Sequence, residues 1–333
     1  MRLRALVSFL LVLPLLAACG SGGVADINGT GATAPSSITL VTHDSWSLPK
    51  KLMAQFTAQT GITVKVLTNG DAGQLTNKLV LTAGNPIGDV AFGVDNTFAS
   101  RATSAGVFDG DLTAIDHSAV CVNVDDVWFA QHHLAPPTSL DDLVEPQYEN
   151  LFVTSGATTS SPGMAFLLAT IAKYGSADGG WQDYWKKLLA NGAEVVDGWN
   201  QAYEVEFTQG GGNGTKPIVL SYDSDPAFTV SHGTTTTSVL LDTCFGQTEY
   251  AGVLAGAKNP DGAKTFVDWL LSPDVQKALP TSMYVFPAVD GTPLPKSWAK
   301  FVTQPSNPLE VDPAEIDAHR DEWLQQWQAI VAG

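Results

Sequence analysis

The chain has 333 residues and a formal net charge of −17, because 34 aspartates and glutamates outnumber 17 lysines and arginines. This acidity argues against a nucleic-acid partner, since phosphate backbones are bound through basic surface patches. The same charge suits a cationic ligand, although solubility alone would also explain it. The length is sufficient for a large hydrophobic core that is divided between two lobes.

The N-terminal segment has the layout of a secretory signal. Two arginines precede an apolar run over residues 6–16, which is too short to span a bilayer. The run ends in Leu15-Leu16-Ala17-Ala18-Cys19, which resembles a bacterial lipobox. We expect a signal peptide over 1–18, an acylated Cys19, a flexible stem over 19–37 and an extracytoplasmic protein that is lipid-anchored to the cell membrane. The alternative is an ordinary cleaved signal with a chance cysteine.

Strands and helices alternate in the part of the chain that follows. Apolar and β-branched runs predict strands over 38–42, 62–67 and 89–94. Helical spacing of apolar residues predicts one helix that ends at Gly61 and a second over 75–83. A βαβαβ order implies a parallel sheet.

An aspartate follows each of these three strands. Asp44, Asp71 and Asp95 stand where the strands end. Because open α/β sheets bind ligands at the carboxyl ends of their strands, we expect three carboxylates at one edge of the sheet. The alternative for each aspartate is a helix N-cap.

A second α/β unit is predicted between about residues 138 and 243. Its predicted elements are a strand over 152–154, a helix that opens at Ser160-Ser161-Pro162-Gly163 and continues to Tyr174, a helix over 181–190, and strands over 193–196 and 217–222. Trp199 follows the strand over 193–196 and Tyr222 ends the strand over 217–222, so two polar edges would face each other across a cleft. A C-terminal helix is predicted to bury Trp323 and Trp327.

Catalytic and metal-binding motifs are absent from the sequence. Ser47-Leu48-Pro49-Lys50 has the S-x-x-K spelling, but the S-D-N and K-T-G partners of that constellation are missing. His132-His133 has no spaced cysteine or carboxylate partner, so we expect solvated histidines and no metal site. The sequence therefore favours a binding protein over an enzyme, and no cofactor is expected.

Two cysteines remain once Cys19 is assigned to the lipid. Cys121 and Cys244 form an even pair in an oxidising compartment, which predicts a disulfide. The alternative is two buried free thiols.

Several segments together resemble the thiamine-binding members of the extracytoplasmic substrate-binding proteins of ABC importers. The matching segments are Thr42-His43-Asp44-Ser45-Trp46, Gly93-Val94-Asp95-Asn96, Ser160-Ser161-Pro162-Gly163, Gly198-Trp199-Asn200-Gln201-Ala202-Tyr203, Leu220-Ser221-Tyr222, residues 259–273 and Asp312-Pro313-Ala314-Glu315-Ile316. The resemblance covers about residues 38–330. It implies a type II periplasmic-binding-protein fold, with lobe I over 38–121 and 245–333, lobe II over 122–244, two crossover strands and a ligand cleft between the lobes.

This resemblance and the chemistry of the strand ends together imply a set of ligand-binding residues. The expected set is Asp44, Ser45, Trp46, Asp71, Ala72, Asp95, Ser160, Ser161, Trp199, Tyr203, Tyr222, Asp223, Ser224, Asp225 and Tyr284. Aromatic faces suit a thiazolium cation, and Asp and Ser side chains suit an aminopyrimidine. We also expect Cys121 and Cys244 to lie on or beside the crossover strands.

The resemblance implies a receptor that captures thiamine, or a thiamine phosphate, and delivers it to an ABC permease and its ATPase. We expect a monomer that touches the membrane only through its lipid. Alternatives are a polyamine or ferric receptor, and a thiamine-degrading enzyme, which would need a nucleophilic cysteine in the cleft.

The sequence departs from the family pattern at several positions. His43 stands where tyrosine is usual. Asp223 and Asp225 replace small hydroxyl residues, so we expect them to repel phosphate and to favour thiamine over thiamine diphosphate.

Overall fold

The computed structural model describes residues 36–333. The predicted signal peptide, the acylated Cys19 and nearly all of the predicted stem lie outside the described residues. No helix within 36–333 combines the length and the apolar character that a membrane crossing requires.

The described residues form a mixed α/β structure. The strands are β1 (Ser37–Thr42), β2 (Thr63–Thr68), β3 (Val90–Asp95), β4 (Thr113–Asp125), β5 (Phe152–Ser155), β6 (Glu194–Val196), β7 (Ile218–Tyr222), β8 (Val230–Ser231), β9 (Thr234–Thr235), β10 (Thr237–Val253) and β11 (Phe286–Pro287). The α-helices are α1 (Lys50–Thr60), α2 (Ala72–Leu81), α3 (Ala99–Ser104), α4 (Asp126–Gln131), α5 (Ser161–Tyr174), α6 (Gly180–Ala190), α7 (Pro260–Leu270), α8 (Pro273–Ser282), α9 (Lys296–Ala299) and α10 (Pro313–Ala332).

Two long antiparallel strands connect the two halves of one sheet. The strand order is β2-β1-β3-β10-β4-β7-β5-β6, with β11 added to β4. β1 pairs in parallel with β2 and β3, which confirms the parallel arrangement predicted for the first unit. β5 also pairs in parallel with β6 and β7. β4 and β10 run through both halves. We call the half with β1–β3 the first lobe and the half with β5–β7 the second lobe.

A disulfide joins the two crossover strands. Cys121 of β4 is bonded to Cys244 of β10. The register between these strands shifts between Leu240 and Phe245, so the disulfide lies where the ladder is interrupted. The predicted disulfide and its place on the crossover strands are confirmed.

Local sequence signals account for the helix ends beside the first lobe's strands. α1 ends where Gly61 adopts φ 72°, a left-handed conformation that glycine tolerates. α2 begins at Ala72, three residues before the predicted start. Asp71 Oδ1 accepts a hydrogen bond from the Ala72 N–H at 2.6 Å, and the Gln74 side chain accepts one from the Asp71 N–H at 3.3 Å. This capping pair fixes the first turn.

The C-terminal helix contacts both lobes. α10 packs against α6 of the second lobe and α3 of the first. Trp327 of α10 meets Trp185 of α6 edge-to-face, with ring centroids 5.6 Å apart. Trp323 and Trp327 are buried, so their expected place in the core is confirmed. Trp181, Tyr184 and Trp185 of α6 are also buried.

Candidate ligand-binding cleft

A cavity of about 320 Å³ opens between the ends of β1 and β7, and residues of both lobes line it. Its volume lies near the lower bound for small-molecule sites. The six aromatic lining residues are Trp46, Trp199, Tyr203, Tyr222, Phe228 and Tyr284. The five carboxylate lining residues are Asp44, Asp71, Glu204, Asp225 and Glu249. No lysine or arginine of the described chain lines this cavity.

Asp71 joins the two lobes at one end of the cavity. One carboxylate oxygen caps α2, and the other accepts a hydrogen bond from the backbone N–H of Trp199 at 2.7 Å. The Ser45 hydroxyl, also of the first lobe, donates to the side-chain oxygen of Asn200 at 3.2 Å. Burial raises the pKa of Asp71, and hydrogen bonds from backbone N–H groups oppose that rise. These bonds hold the lobes in contact.

Trp199 forms the second-lobe wall. Its indole stacks on Tyr203 with centroids 5.1 Å apart, and its Nε1–H donates to the Ser221 hydroxyl at 2.7 Å. The remaining surface of this half-buried side chain lines the cavity. The buried Tyr203 hydroxyl has no hydrogen-bond partner within residues 36–333. Trp199 is therefore held by the second-lobe core and is also available to a ligand.

His43 and Glu249 form a charged pair in the first-lobe wall. His43 Nε2 lies 3.3 Å from Glu249 Oε1, and the two side chains are 8% and 10% exposed. Burial alone would lower the pKa of His43, but the charge and hydrogen bond of Glu249, together with the charges of Asp71 and Asp44, outweigh burial and raise the pKa. Burial and then Glu249 raise the pKa of the neighbouring Asp116 well above its ordinary range. The wall thus pairs one histidine with one carboxylate, and the charged form of the neighbouring Asp116 is disfavoured.

Asp95 does not line the cavity. It is fully buried at the end of β3, where its carboxylate accepts hydrogen bonds from the hydroxyls of Ser161 and Thr97 and from Gln247 Nε2. Burial raises the pKa of Asp95 to about 6 against the lowering effect of the hydroxyl groups. Asp95 therefore ties β3 to the start of α5 across the lobes. Ser161 itself lines the cavity, whereas Ser160 is buried away from it.

The three residues that follow β7 have different partners. Asp225 lines the cavity, and its Oδ2 accepts a hydrogen bond from the Tyr222 N–H at 3.1 Å. Asp223 Oδ1 instead accepts from the Ala119 N–H at 3.1 Å, outside this cavity, and the Ser224 hydroxyl donates to a backbone oxygen. Burial raises the pKa of both aspartates to about 7. Of the two acids expected to face the ligand, only Asp225 lines the cavity.

The structure brings most of the predicted ligand residues together. The eleven that line the cavity are Asp44, Ser45, Trp46, Asp71, Ala72, Ser161, Trp199, Tyr203, Tyr222, Asp225 and Tyr284. The four that do not are Asp95, Ser160, Asp223 and Ser224, each of them buried. Lining residues that were not predicted include His43, Asn200, Phe228, Glu249 and Met283. Glu249 stands between Thr248 and Tyr250 in β10, so no apolar pattern in the sequence marks it as a buried or lining residue.

Metal-binding clusters are not found in the described part of the chain. No group of three or more His, Cys, Asp or Glu side chains within residues 36–333 is placed to hold a metal ion.

The chain is similar to known solute-binding proteins over most of its length. The "Thiamine-binding periplasmic protein" of Escherichia coli K12 is 29% identical, and the similarity covers 89% of this chain and 93% of that protein. The protein of the same name from Brucella suis biovar 1 is 29% identical over 90% and 94%. A solved structure, "Periplasmic thiamin binding protein", has a TM-score of 0.78 and 26% identity, covering 89% of this chain and 96% of that one.

The chain also matches a protein-family model, and this match agrees with its two crossover strands and its cleft between lobes. The model described as "Bacterial extracellular solute-binding protein" matches residues 45–277. This match spans more than half of the chain, and the two-lobed architecture is that of type II periplasmic binding proteins. The chain belongs to the bacterial extracellular solute-binding protein family.

Proposed function

We propose that this protein is an extracytoplasmic receptor for thiamine. The observation that carries the proposal is the cavity wall, which combines six aromatic side chains and five carboxylates without a lysine or arginine among its described lining residues. A cation over an aromatic face gains about 0.5–2 kcal/mol, depending on its desolvation. The permanent thiazolium cation fits such a wall. The thiamine-binding names of the similar proteins support this choice of cation.

The described contacts suggest how the ligand is held. Trp199 offers an aromatic face, while Asp225 and Glu249 offer negative charge. Asn200 and the unpartnered Tyr203 hydroxyl offer hydrogen-bonding groups to an aminopyrimidine. The Asp71–Trp199 hydrogen bond would then close the lobes over the ligand.

The proposed role is transport and not catalysis. The receptor would deliver thiamine to an ABC permease and its ATPase, as a monomer anchored through Cys19. We propose lobe boundaries at 121/122 and 244/245, where the disulfide crosses the sheet. A thiamine-degrading activity would need a free nucleophilic cysteine. Cys121 and Cys244 are bonded to each other and do not line the cleft.

The test is calorimetry with thiamine, thiamine diphosphate and spermidine, combined with mass spectrometry of any ligand released from the purified protein. Thiamine should bind most tightly. The diphosphate should bind more weakly, because a like-charge contact near 4 Å costs about 4 kcal/mol at an effective dielectric constant of 20. Tighter binding of spermidine would replace thiamine with a polyamine as the ligand. Equal binding of thiamine diphosphate would show that its tail avoids the carboxylates.

A further inference from the structure

Ser224 joins the two lobes although it does not line the thiamine cavity. It follows β7, is fully buried and precedes a single helical turn over Asp225–Ala227. A serine hydroxyl at this position ordinarily caps the turn, but that of Ser224 makes no such bond. It donates instead to the backbone carbonyl of Tyr284. Tyr284 follows α8, which packs through α7 against β1 and β3 of the first lobe.

The backbone of Tyr284 has a conformation that is unusual for a tyrosine. Its φ is +57°, at the position after a helix C-terminus where glycine is common. Any other residue type is strained in this left-handed region, so surrounding contacts must hold it there. The Tyr284 N–H donates to the Leu279 carbonyl at 3.1 Å, within the first lobe. The Tyr284 carbonyl is held from the second lobe by the Ser224 hydroxyl.

The ring of Tyr284 lines the cavity beside that of Phe228. The two rings meet edge-to-face, with centroids 4.9 Å apart and planes at 84°. Phe228 follows the turn that Ser224 precedes, and its N–H donates to the Asp225 carbonyl at 2.8 Å. Asp225, Phe228 and Tyr284 all line the cavity. One buried serine is therefore connected to three lining residues, to two through its own turn and to Tyr284 through its hydroxyl.

We propose that Ser224 is a positioning residue, whose hydroxyl fixes the Tyr284 ring against the bound ligand when the lobes are closed. This inference rests on the proposed thiamine function. Opening of the lobes would break the bond between Ser224 and Tyr284, whereas the bond to Leu279 stays within the first lobe. The Tyr284 backbone could then leave its strained conformation, and its ring would lose its fixed direction. Loss of a fixed ring should act mainly on the rate of ligand dissociation.

A purely structural role is the competing explanation, in which the Ser224 bond only holds the lobes together. Both roles predict that Ser224→Ala lowers the melting temperature and weakens thiamine binding. They differ in their dependence on the Tyr284 ring. Tyr284→Ala removes the ring but keeps the carbonyl that Ser224 binds, so a double-mutant cycle separates the two roles.

The experiment measures thiamine affinity by calorimetry and thiamine dissociation by stopped-flow fluorescence, for the unmutated protein, the two single variants and the double variant. Ser224→Ala should weaken thiamine binding about three- to tenfold, mainly through faster dissociation. In the Tyr284→Ala background, the same substitution should change thiamine affinity by less than about twofold. An equal loss of affinity in both backgrounds would overturn the proposal in favour of the structural role.

Thr170→Val is the matched control for loss of a buried hydroxyl. Thr170 accepts a hydrogen bond from Trp185 Nε1 at 3.0 Å and is not part of the cleft lining. Thr170→Val should lower the melting temperature and leave thiamine affinity unchanged. A loss of thiamine affinity equal to that of Ser224→Ala would overturn the proposal, because general destabilisation would then explain both.

Hydrogen exchange without ligand gives a readout that does not depend on thiamine. Peptides that cover residues 279–287 should exchange faster in Ser224→Ala than in Thr170→Val, because the Tyr284 backbone is released only in the former. Equal exchange in these two variants would overturn the proposal even if thiamine binds. Absence of thiamine binding by the unmutated protein would instead overturn the proposed function, and faster exchange would still show that Ser224 holds Tyr284.

Discussion

Trp199 is the residue at which internal packing and the proposed ligand contact meet. It stacks on Tyr203, donates to Ser221 and lines the cavity. Trp199→Ala should weaken thiamine binding roughly tenfold, because an aromatic face for the cation is lost. It should also lower the melting temperature, since the stack on Tyr203 is removed. Calorimetry and thermal unfolding of one preparation measure both effects.

Trp128→Ala is the matched control for this variant. Trp128 stacks on His132, with centroids 3.8 Å apart, and is not part of the cleft lining. Its removal should lower the melting temperature and leave thiamine affinity unchanged. A Trp199→Ala protein that is less stable but binds thiamine normally would show that Trp199 is only a packing residue.

The charge state of Asp225 should make thiamine binding dependent on pH. Burial raises the pKa of Asp225 to about 7, so the carboxyl is neutral at pH 5.5 and ionised at pH 8. A cation favours the ionised form, and loss of the proton on His43 acts in the same direction. Thiamine affinity should therefore rise with pH, by up to about tenfold per unit below the pKa of Asp225. Calorimetry from pH 5.5 to 8 measures this slope.

Asp223 provides the control for this pH dependence. The pKa of Asp223 is also raised to about 7, but its carboxylate bonds to the Ala119 N–H outside the cavity. Asp225→Asn should flatten the affinity profile, whereas Asp223→Asn should leave it steep. A steep profile in Asp225→Asn would assign the proton to another lining group, with His43 and Asp71 as the nearest candidates.

At the scale of the elements, β3 holds His43 in place through a glycine. Gly93 has φ +100°, and a Cβ at this position would lie 2.1 Å from His43 Cδ2. Gly93→Ala should push His43 away from Glu249, weaken thiamine binding and destabilise the fold by about 1–3 kcal/mol. Urea unfolding and calorimetry measure the two effects.

Gly84→Ala is the control that distinguishes a steric clash with His43 from backbone strain at a positive φ. Gly84 has φ +82°, but nothing lies within 4 Å of the position that its Cβ would take. This variant should lose stability without losing thiamine affinity. If both variants bind thiamine equally well, Gly93 does not position the cleft wall.

The parallel strands were predictable from the sequence, and the crossover strands were not. β1–β3 and β5–β7 are short apolar runs, each recognisable from local pattern and adjacent turn residues. β4 and β10 pair although they are far apart in the chain, with Cys121 and Cys244 separated by 123 residues. Buried polar residues such as Asp116 and Glu249 interrupt their apolar pattern. Only the family resemblance implied them. α2 began earlier than its apolar spacing indicated, because Asp71 and Gln74 cap it.

For the molecule as a whole, the disulfide should contribute strongly to stability. It closes a loop with a sequence separation of 123 residues, for which chain-entropy arguments give about 4 to 5 kcal/mol. Cys121→Ser with Cys244→Ser should lower the free energy of urea unfolding by up to this amount. Thiamine affinity should persist, because neither cysteine lines the cleft. An unfolding free energy equal to that of the unmutated protein would exclude a stabilising role.

The residues of the candidate site that stand at strand ends were predictable from the sequence. Those that reach the cavity from distant segments were harder to predict. Asp44 follows one recognisable strand and Tyr222 ends another, and the structure brings them to one cavity. Glu249 and Met283 reach that cavity only through the tertiary fold. Asp223 and Asp225 are two residues apart, yet their different backbone partners place only Asp225 in the cavity. A sequence pattern carries no information about such partners.

The disulfide also makes a covalent ring of residues 121–244, which contains β5–β7 and the loop around Gly211. A protease that cuts one exposed bond inside this ring opens it but releases no fragment, because both ends remain attached through the two sulfur atoms. Covalent separation of the two pieces therefore requires reduction of the disulfide after the first cut, and release of a fragment from the oxidised protein requires a second cut within the ring. Outside the cytoplasm, where proteases are common and reductants scarce, a nicked receptor would remain a single molecule.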